Sequence, residues 1–306
     1  MKDLLSLQDY STQEITELLE LAAKLKKDNQ EGRTHHLLKG KTLGMIFAKS
    51  STRTRVSFEV GMYQLGGHGL FLSSNDIQLG RGECVPDTAR VLSRFLDGIM
   101  IRTFDQAQVE ELAKYATIPV INGLTDLLHP CQVLADLLTI QEWKGALKGL
   151  KLCYVGDGNN MAHSLLNGCT KVGMDIAVAT PESYSCNAQI VKAAKETAEQ
   201  TDCKVMITND PQAAMKDADV VYTDTWVSMG QEEEKQKRLR DFAGFGVTQR
   251  LMTFAKPDAM FLHCLPAYRG YEVDAAVIDG PNSAIFDEAE NRLHAQKAVL
   301  VKLMEN

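Results

Sequence analysis

Short apolar runs of strand length recur along this chain, at 43–48, 69–72, 98–102, 119–122, 151–156, 175–179, 204–208, 219–223 and 259–264. Helical patterns fill most of the intervals. Strands that are apolar on both faces need cover on both sides, and in α/β architectures helices supply it. At 306 residues the chain is long enough for two such sheets, each with its own core. The expected fold is therefore α/β, with two open, mostly parallel αβα sandwich domains. Lys144-Gly145 and Lys148-Gly149 bracket the expected boundary, giving a first domain over 1–143 and a second over 144–288. Ser11-x-x-Glu14 predicts a capping box at the start of a helix carrying Ile15, Leu18, Leu19, Ala22 and Leu25. Further helices are expected over 87–97, from Pro130 to Trp143, over 161–172 and over 289–303.

Composition narrows the function. A net charge of −7 counts against a nucleic-acid binder, and any anionic substrate must be attracted by local cations. No apolar run reaches membrane-spanning length, and no basic-then-apolar start suggests a signal peptide. The 7 cysteines are scattered and form no Cys-x-x-Cys pair, which favours reduced thiols in a cytoplasmic protein and argues against zinc. No metal is expected.

The segment 47–58, Phe-Ala-Lys-Ser-Ser-Thr-Arg-Thr-Arg-Val-Ser-Phe, points to chemistry. A strand feeds directly into a helix whose apolar face is read as Val56, Val60 and Tyr63, widened by Phe58, Met62 and Leu65, and which stops at Gly66-Gly67. Ser51, Thr52, Arg53, Thr54 and Arg55 then fall on its first turn, where unpaired N–H groups and the helix dipole favour an anion. Three hydroxyls and two guanidiniums make this a phosphate site without the glycines or Gly-Lys-Ser/Thr of a Walker loop. The alternative is an ordinary cap with solvated arginines.

In open α/β sheets, ligands bind at the carboxyl ends of strands. The first domain places Ser51–Arg55, Arg102, His129 and Gln132 at or near such ends, and the second places Gly156–Asn160, Asp224, His263 and Cys264 there. A cleft between a cationic half and a half bearing an amide, a carboxylate and a thiol would hold a phosphate-bearing anion facing a cationic amine. Each residue also has a structural alternative: a turn for Asp157, a cap for Asp224, core packing for Cys264 and for His129. A dinucleotide turn at Gly156-x-Gly158 fits poorly, because Met161 occupies the third glycine position and no acidic residue ends the next strand.

Four of these strings, in this order, resemble motifs of the aspartate/ornithine carbamoyltransferase family. Ser51-Thr52-Arg53-Thr54-Arg55 resembles its carbamoyl-phosphate motif, and His129-Pro130-Cys131-Gln132 its His-Pro-x-Gln motif. Asp224-Thr225-Trp226-Val227-Ser228-Met229-Gly230 and His263-Cys264-Leu265-Pro266 resemble the amino-acid loop and the Cys-Leu-Pro turn of the ornithine branch. The aspartate branch has a lysine in the loop corresponding to 75–83 and a proline where Cys264 stands. Putrescine-specific relatives lack the Ser-Met-Gly sequence.

The resemblance implies transfer of the carbamoyl group from carbamoyl phosphate to the δ-amine of L-ornithine, giving L-citrulline and phosphate without a cofactor, as in arginine biosynthesis. It implies that Ser51, Thr52, Arg53, Thr54, Gln78, Arg102, His129, Gln132, Cys264, Leu265 and Arg292 contact carbamoyl phosphate. Asn160, Asp224, Ser228 and Met229 would hold ornithine, with Arg102, His129, Cys264 and Asp224 acting in catalysis. It also implies that the last helix, 289–306, joins the first domain. A homotrimer would share its sites, Gln78 reaching a neighbouring subunit. A non-catalytic amino-acid-binding relative is the competing class.

Overall fold

The computed structural model describes residues 2–228 and 232–305, without the side chains of 80, 81 and 232. The chain forms two compact units, one of Met1–Leu138 with Glu290–Asn306 and one of Thr139–Ala289. The change of unit thus falls inside a helix at each crossing rather than at the glycines near 145 and 149. The last turn of Pro130–Lys144 is bound within the second unit: Trp143 Nε1 donates to Asp287 at 2.9 Å and Lys144 Nζ to Asp258 at 2.9 Å.

In the first unit a wholly parallel sheet has strand order β2-β1-β3-β4, with β1 Thr42–Phe47, β2 His68–Ser73, β3 Gly98–Arg102 and β4 Val120–Leu124. The five residues of β3 are all buried, as a central parallel strand requires. The helices before the second sheet are α1 Thr12–Gln30, α2 Thr52–Gln64, α3 Val85–Leu92, α4 Gln106–Tyr115 and α5 Pro130–Lys144. The capping box opens α1, with Ser11 Oγ accepting from Glu14 N at 3.2 Å and the Glu14 carboxylate accepting from Ser11 N at 2.9 Å. Such a cap stabilises a helix by about 1 kcal/mol.

The second unit holds a parallel sheet of order β7-β6-β5-β8-β9, built from β5 Lys151–Val155, β6 Asp175–Ala179, β7 Val205–Thr208, β8 Val220–Tyr222 and β9 Met260–Leu262. Its helices are α6 Asn160–Lys171, α7 Ala188–Thr201, α8 Pro211–Met215, α9 Lys235–Asp241, α10 Gln249–Met252 and α11 Ala275–Ile278. The final helix, α12 Ile285–Met304, starts in this unit and continues in the first. There Lys302 reaches Glu17 of α1 at 2.7 Å and the buried Lys297 donates to Gln64 of α2 at 2.9 Å. No described helix is long and apolar enough to cross a membrane.

Three details differ from the sequence expectation. The helix expected over 87–97 starts two residues earlier and ends at Leu92. The α4 helix was not anticipated, although Asp105 caps it and Val109, Leu112 and Ala113 supply its buried face. The largest difference is the face of α2. Phe58, Met62 and Leu65 are buried as expected, but Val56 is 50% and Tyr63 81% exposed, and Thr54, Ser57 and Gly61 are buried instead. Small residues complete this face because α12 packs close: a methyl on Gly61 would lie 3.4 Å from Lys297 Cγ. The helix does stop where expected. Gly66 takes φ 81°, its N–H bonds to Tyr63 O, and Gly67 N bonds to Met62 O at 2.9 Å, a Schellman ending.

Gly158, between β5 and α6, has no room for a side chain. A Cβ there would lie 2.4 Å from Tyr184 O and 2.5 Å from Cys186 N, both backbone atoms. Gly158→Ala must displace that segment and is expected to cost about 2–3 kcal/mol, the range of overpacking. Thermal denaturation should show a Tm lower by about 5–10 °C; an unchanged Tm would mean that the 184–186 backbone yields freely.

Candidate active site

Both sheets reverse their strand order in the middle, between β1 and β3 and between β5 and β8. Crevices form at the carboxyl ends of such switch points; Ser51–Arg55, Arg102, Gly156–Asn160 and Asp224 follow or end those strands, while His129 and Gln132 follow β4 and Cys264 follows β9.

In the first unit the centre is Thr54, fully buried on the first turn of α2. Its Oγ1 lies 3.0 Å from Ser51 Oγ, 3.1 Å from Arg292 Nη2 and, at the limit of hydrogen bonding, 3.5 Å from Arg102 Nη1. Ser51 is the N-cap, its Oγ accepting from Thr54 N at 3.1 Å. The capping alternative therefore holds for Ser51 itself. Thr52 is exposed and Arg53 half-buried on the same turn, whereas Arg55 turns away, bonding Glu59 at 3.0 Å and stacking 3.9 Å over Phe71. Gln78 is exposed on a short 3-10 turn, Gln78–Arg81.

Arg102 ends β3, 7% exposed, and Arg292 on α12 is 3% exposed. Arg292 Nη1 donates to Gln132 Oε1 at 2.7 Å, and Gln132 Nε2 donates to the buried Asp136 at 2.8 Å. The Gln296 amide satisfies its neighbours with its oxygen toward Arg292, 3.2 Å from Nε and Nη2, and its nitrogen toward Ser57 Oγ. His129 is buried immediately before Pro130, the N1 proline of α5. Burial first, then Arg292, Arg102 and Arg53, hold its pKa well below the ordinary histidine value. It is thus a neutral imidazole at neutral pH, able to donate one N–H without bringing a charge. Cys131, between these residues in sequence, takes no part: burial pushes its thiol up to about 12, and Sγ donates to Asn122 O at 3.4 Å.

The second unit gathers a different set. Asp224 follows β8, 7% exposed. Its carboxylate accepts from Asn159 Nδ2 at 2.8 Å, from Thr225 N at 2.7 Å and from Cys264 Sγ at 3.2 Å. Asn159 also caps α6, accepting from Met161 N at 3.0 Å, and its Oδ1 accepts from Tyr154 O–H at 3.2 Å. Asn160 and Ser228 are half-buried on the flanking segments. Met229 and Gly230 lie outside the described residues. Cys264 is partly exposed and bonded to a carboxylate, unlike the buried Cys131 and Cys153.

The fully buried His263 does not face a ligand. Its Nδ1 accepts from Leu265 N at 2.9 Å, leaving the proton on Nε2, which faces Glu272 Oε1 at 3.4 Å. It braces the turn in which Leu265 adopts φ 57°, a left-handed conformation costing about 1–2 kcal/mol for such a residue. Donor atoms of Asp224, His263 and Cys264 lie within 4.8 Å of one another, but those two hydrogen bonds already engage the imidazole.

Asn159, named from sequence only as part of Gly156–Asn160, is the member of that string that bonds Asp224. One member of these networks was not singled out from sequence. Arg238 on α9 donates to Asp157 at 2.6 Å and to Trp226 O at 3.0 Å, tying the Asp224–Ser228 segment to the turn after β5. Burial raises the pKa of Asp157 and Arg238 opposes that shift. Nothing in local sequence marks an arginine that bonds residues 81 and 12 positions away.

A cationic hydroxyl cluster at one switch point suits a phosphorylated donor and a carboxylate–amide–thiol cluster at the other suits an amine, so an α/β chain carrying both falls in the class of group-transfer enzymes acting on a phosphorylated donor. The carbamoyl-P binding domain of the aspartate/ornithine carbamoyltransferases matches residues 2–142, and the Asp/Orn binding domain of the same family matches 148–303. A protein of Caldicellulosiruptor saccharolyticus named ornithine carbamoyltransferase is 60% identical over 301 residues, 98% of each chain. One of Pyrococcus furiosus, named as the anabolic enzyme, is 57% identical over 303 residues, 99% of this chain and 96% of that one. The solved structure of ornithine carbamoyltransferase from Pyrococcus furiosus superposes with a TM-score of 0.96, covering 99% of this chain and 97% of that one at 57% identity. The chain belongs to the aspartate/ornithine carbamoyltransferase family. The second family domain runs in sequence through α12, although the contacts of 290–306 lie in the first unit.

Proposed function

We propose that the protein transfers the carbamoyl group of carbamoyl phosphate to the δ-amine of L-ornithine, giving L-citrulline and phosphate. The observation that carries this reading is the pair of intact clusters, Thr54–Arg102–His129–Gln132–Arg292 in one unit and Asn159–Asp224–Cys264 in the other. The backbone N–H groups of the first turn of α2, with Ser51, Thr52, Thr54 and Arg53, hold the phosphate. Arg102, neutral His129 and Thr54 donate to the carbonyl oxygen as it becomes an oxyanion, while Gln132 accepts from the carbamoyl –NH2. Arg292 and the backbone at Leu265 complete the contacts to carbamoyl phosphate.

Asn160, Ser228 and Met229 hold the α-amino-acid end of ornithine, and Asp224 pairs an ammonium. The δ-nitrogen attacks the carbamoyl carbon, the bond to the phosphate oxygen breaks, and phosphate departs with its charge already stabilised. The δ-amine starts protonated, with a pKa of about 10 like that of lysine. Cys264, whose S–H donates to the Asp224 carboxylate, takes that proton only as the thiolate, its own proton passing first to Asp224; the leaving phosphate is the other acceptor. No step calls for a metal or an organic cofactor.

The test is citrulline formation from carbamoyl phosphate with ornithine, and in parallel with lysine, putrescine and aspartate. Ornithine should exceed putrescine in kcat/KM by a factor on the order of 10⁴, since putrescine leaves the groups around Ser228 unpaired. Comparable rates with putrescine would sink the assignment of that loop.

A cytoplasmic homotrimer with shared sites is part of the same proposal, and the exposed Gln78 turn supports it as the segment lent to a neighbour. The anabolic name of the Pyrococcus furiosus relative supports a place in arginine biosynthesis. If each site joins Arg53 of one chain to Gln78 of the next, mixing inactive Arg53→Ala and Gln78→Ala chains restores one intact site per mixed trimer. Random exchange makes about three-quarters of trimers mixed, so activity should return to about a quarter of wild type. No recovery after demonstrated subunit exchange would place Gln78 in its own chain's site.

A further inference from the structure

Arg238 stands on α9, past the end of the Asp224–Gly230 string, and is only 6% exposed. Its Nη1 donates to Asp157 at 2.6 Å and to Trp226 O at 3.0 Å, its Nε donates to Glu234 at 3.0 Å, and the Tyr184 ring lies 4.9 Å from the guanidinium carbon. A planar guanidinium fixes the mutual placement of the acceptors it binds. Here it joins two pieces of chain that Asn159 already joins once. Asn159 donates to Asp224 at 2.8 Å, and Asp157, through Arg238, reaches Trp226 O further along the same loop. The Gly156–Asn160 turn thus grips the loop after β8 at two points. The turn is itself fixed, since Gly158 N donates to Tyr184 O at 2.9 Å and backbone fills the space a side chain would need. Asn160 adjoins Asn159, and Ser228 lies just past Trp226.

We infer that Arg238 is a positioning residue for the amino-acid acceptor: by clasping the Gly156–Asn160 turn to the Asp224–Ser228 loop it keeps Asn160 and Ser228 placed to receive one α-amino-acid group. None of its four partners is assigned to carbamoyl phosphate. Without the clasp the loop is held at Asp224 alone and spends less time in the receptive arrangement. Apparent affinity for the acceptor then falls by that fraction, whereas a saturating acceptor restores the arrangement. The signature is a raised KM for ornithine with kcat and the affinity for carbamoyl phosphate little changed. A residue that only stabilises the fold gives no such split.

This inference rests on the proposed binding of ornithine by Asn160 and Ser228, but its main readout does not need turnover. L-Norvaline is ornithine without the δ-amine, so it presents the same α-amino-acid end and accepts no carbamoyl group. The experiment is calorimetric binding of carbamoyl phosphate, and of L-norvaline with carbamoyl phosphate present, to wild type, Arg238→Met, Asp157→Ala and the double variant. Arg238→Met keeps the length of the side chain without its donors. It is expected to weaken norvaline binding about tenfold, the scale of one lost hydrogen bond to a charged group, and carbamoyl phosphate binding less than about twofold. Asp157→Ala should weaken norvaline binding when Arg238 is present and by less than about twofold in the Arg238→Met background, because the two act through one contact. In turnover, Arg238→Met should raise KM for ornithine about tenfold while kcat stays within about threefold. Unchanged norvaline affinity in Arg238→Met, equal losses for both ligands, or additive effects of the two substitutions would overturn the inference. Should Arg238→Met not fold, Arg238→Lys keeps the charge without the planar fork and reads the same ratio. A wild type that binds norvaline but forms no citrulline overturns the catalytic proposal, and the ratio still decides this inference. A wild type that forms citrulline but does not bind norvaline overturns this inference alone.

Discussion

Arg102→Ala is expected to lower kcat/KM for carbamoyl phosphate about 10³-fold, the upper range for loss of one oxyanion donor. The guanidinium ends a central, fully buried strand, is 7% exposed, and points a donor to within 3.5 Å of Thr54 Oγ1. Its charge acts where water is excluded, so it stabilises a developing oxyanion far more than a solvated arginine does. Arg102 shares the surroundings of His129 with Arg53 and Arg292, and like charges repel. The substitution should therefore leave the Tm of the ligand-free protein unchanged or higher, while the rise in Tm on adding carbamoyl phosphate shrinks with the lost affinity. Kinetics and thermal shift on one preparation decide it. Full activity would remove Arg102 from the site, and a collapsed Tm would make its role structural.

His129→Asn should lower kcat about 10²-fold if the imidazole donates to the oxyanion, and its pH dependence distinguishes a neutral donor from a charged one. The folded-state pKa lies below the ordinary value of about 6.5, with burial the leading cause and three arginines behind it. Below about pH 6.5 the unfolded chain takes up a proton at this histidine that the folded chain refuses. The unfolded state then binds more protons, so stability falls as pH drops through that range and is fully retained above it. Wild type should lose more Tm than His129→Asn between pH 7 and pH 5. Its kcat/KM profile should show no ionisation of this group between pH 6 and 8. Equal losses of Tm in both proteins, or an NMR titration placing His129 near 6.5, would contradict the neutral-imidazole assignment.

Sequence periodicity was sufficient for the strands because a central parallel strand is apolar on both faces: β3 and β6 fall at their expected residues. Helix faces were harder. On α2 the exposed Val56 and Tyr63 outranked the buried Thr54, Ser57 and Gly61 on hydropathy, because a close helix contact selects small residues that no hydrophobic pattern reveals. The candidate residues themselves were legible from strand ends together with the family motifs, since the chemistry confines them to short strings.

What the sequence by itself determined was therefore local: parallel sheets, helix boundaries set by capping chemistry, and motif residues within a few positions of a strand end. Tertiary structure decided which of those groups engage one another. It brought Arg292 to Thr54 across 238 positions and Cys264 to Asp224 across 40. It committed His263 to a backbone N–H and Glu272, and it set Arg238 against Asp157. The physical reason is range. Periodicity and capping act over one or two helical turns, whereas the orientation of a buried polar side chain depends on the partner that packing delivers from elsewhere in the chain.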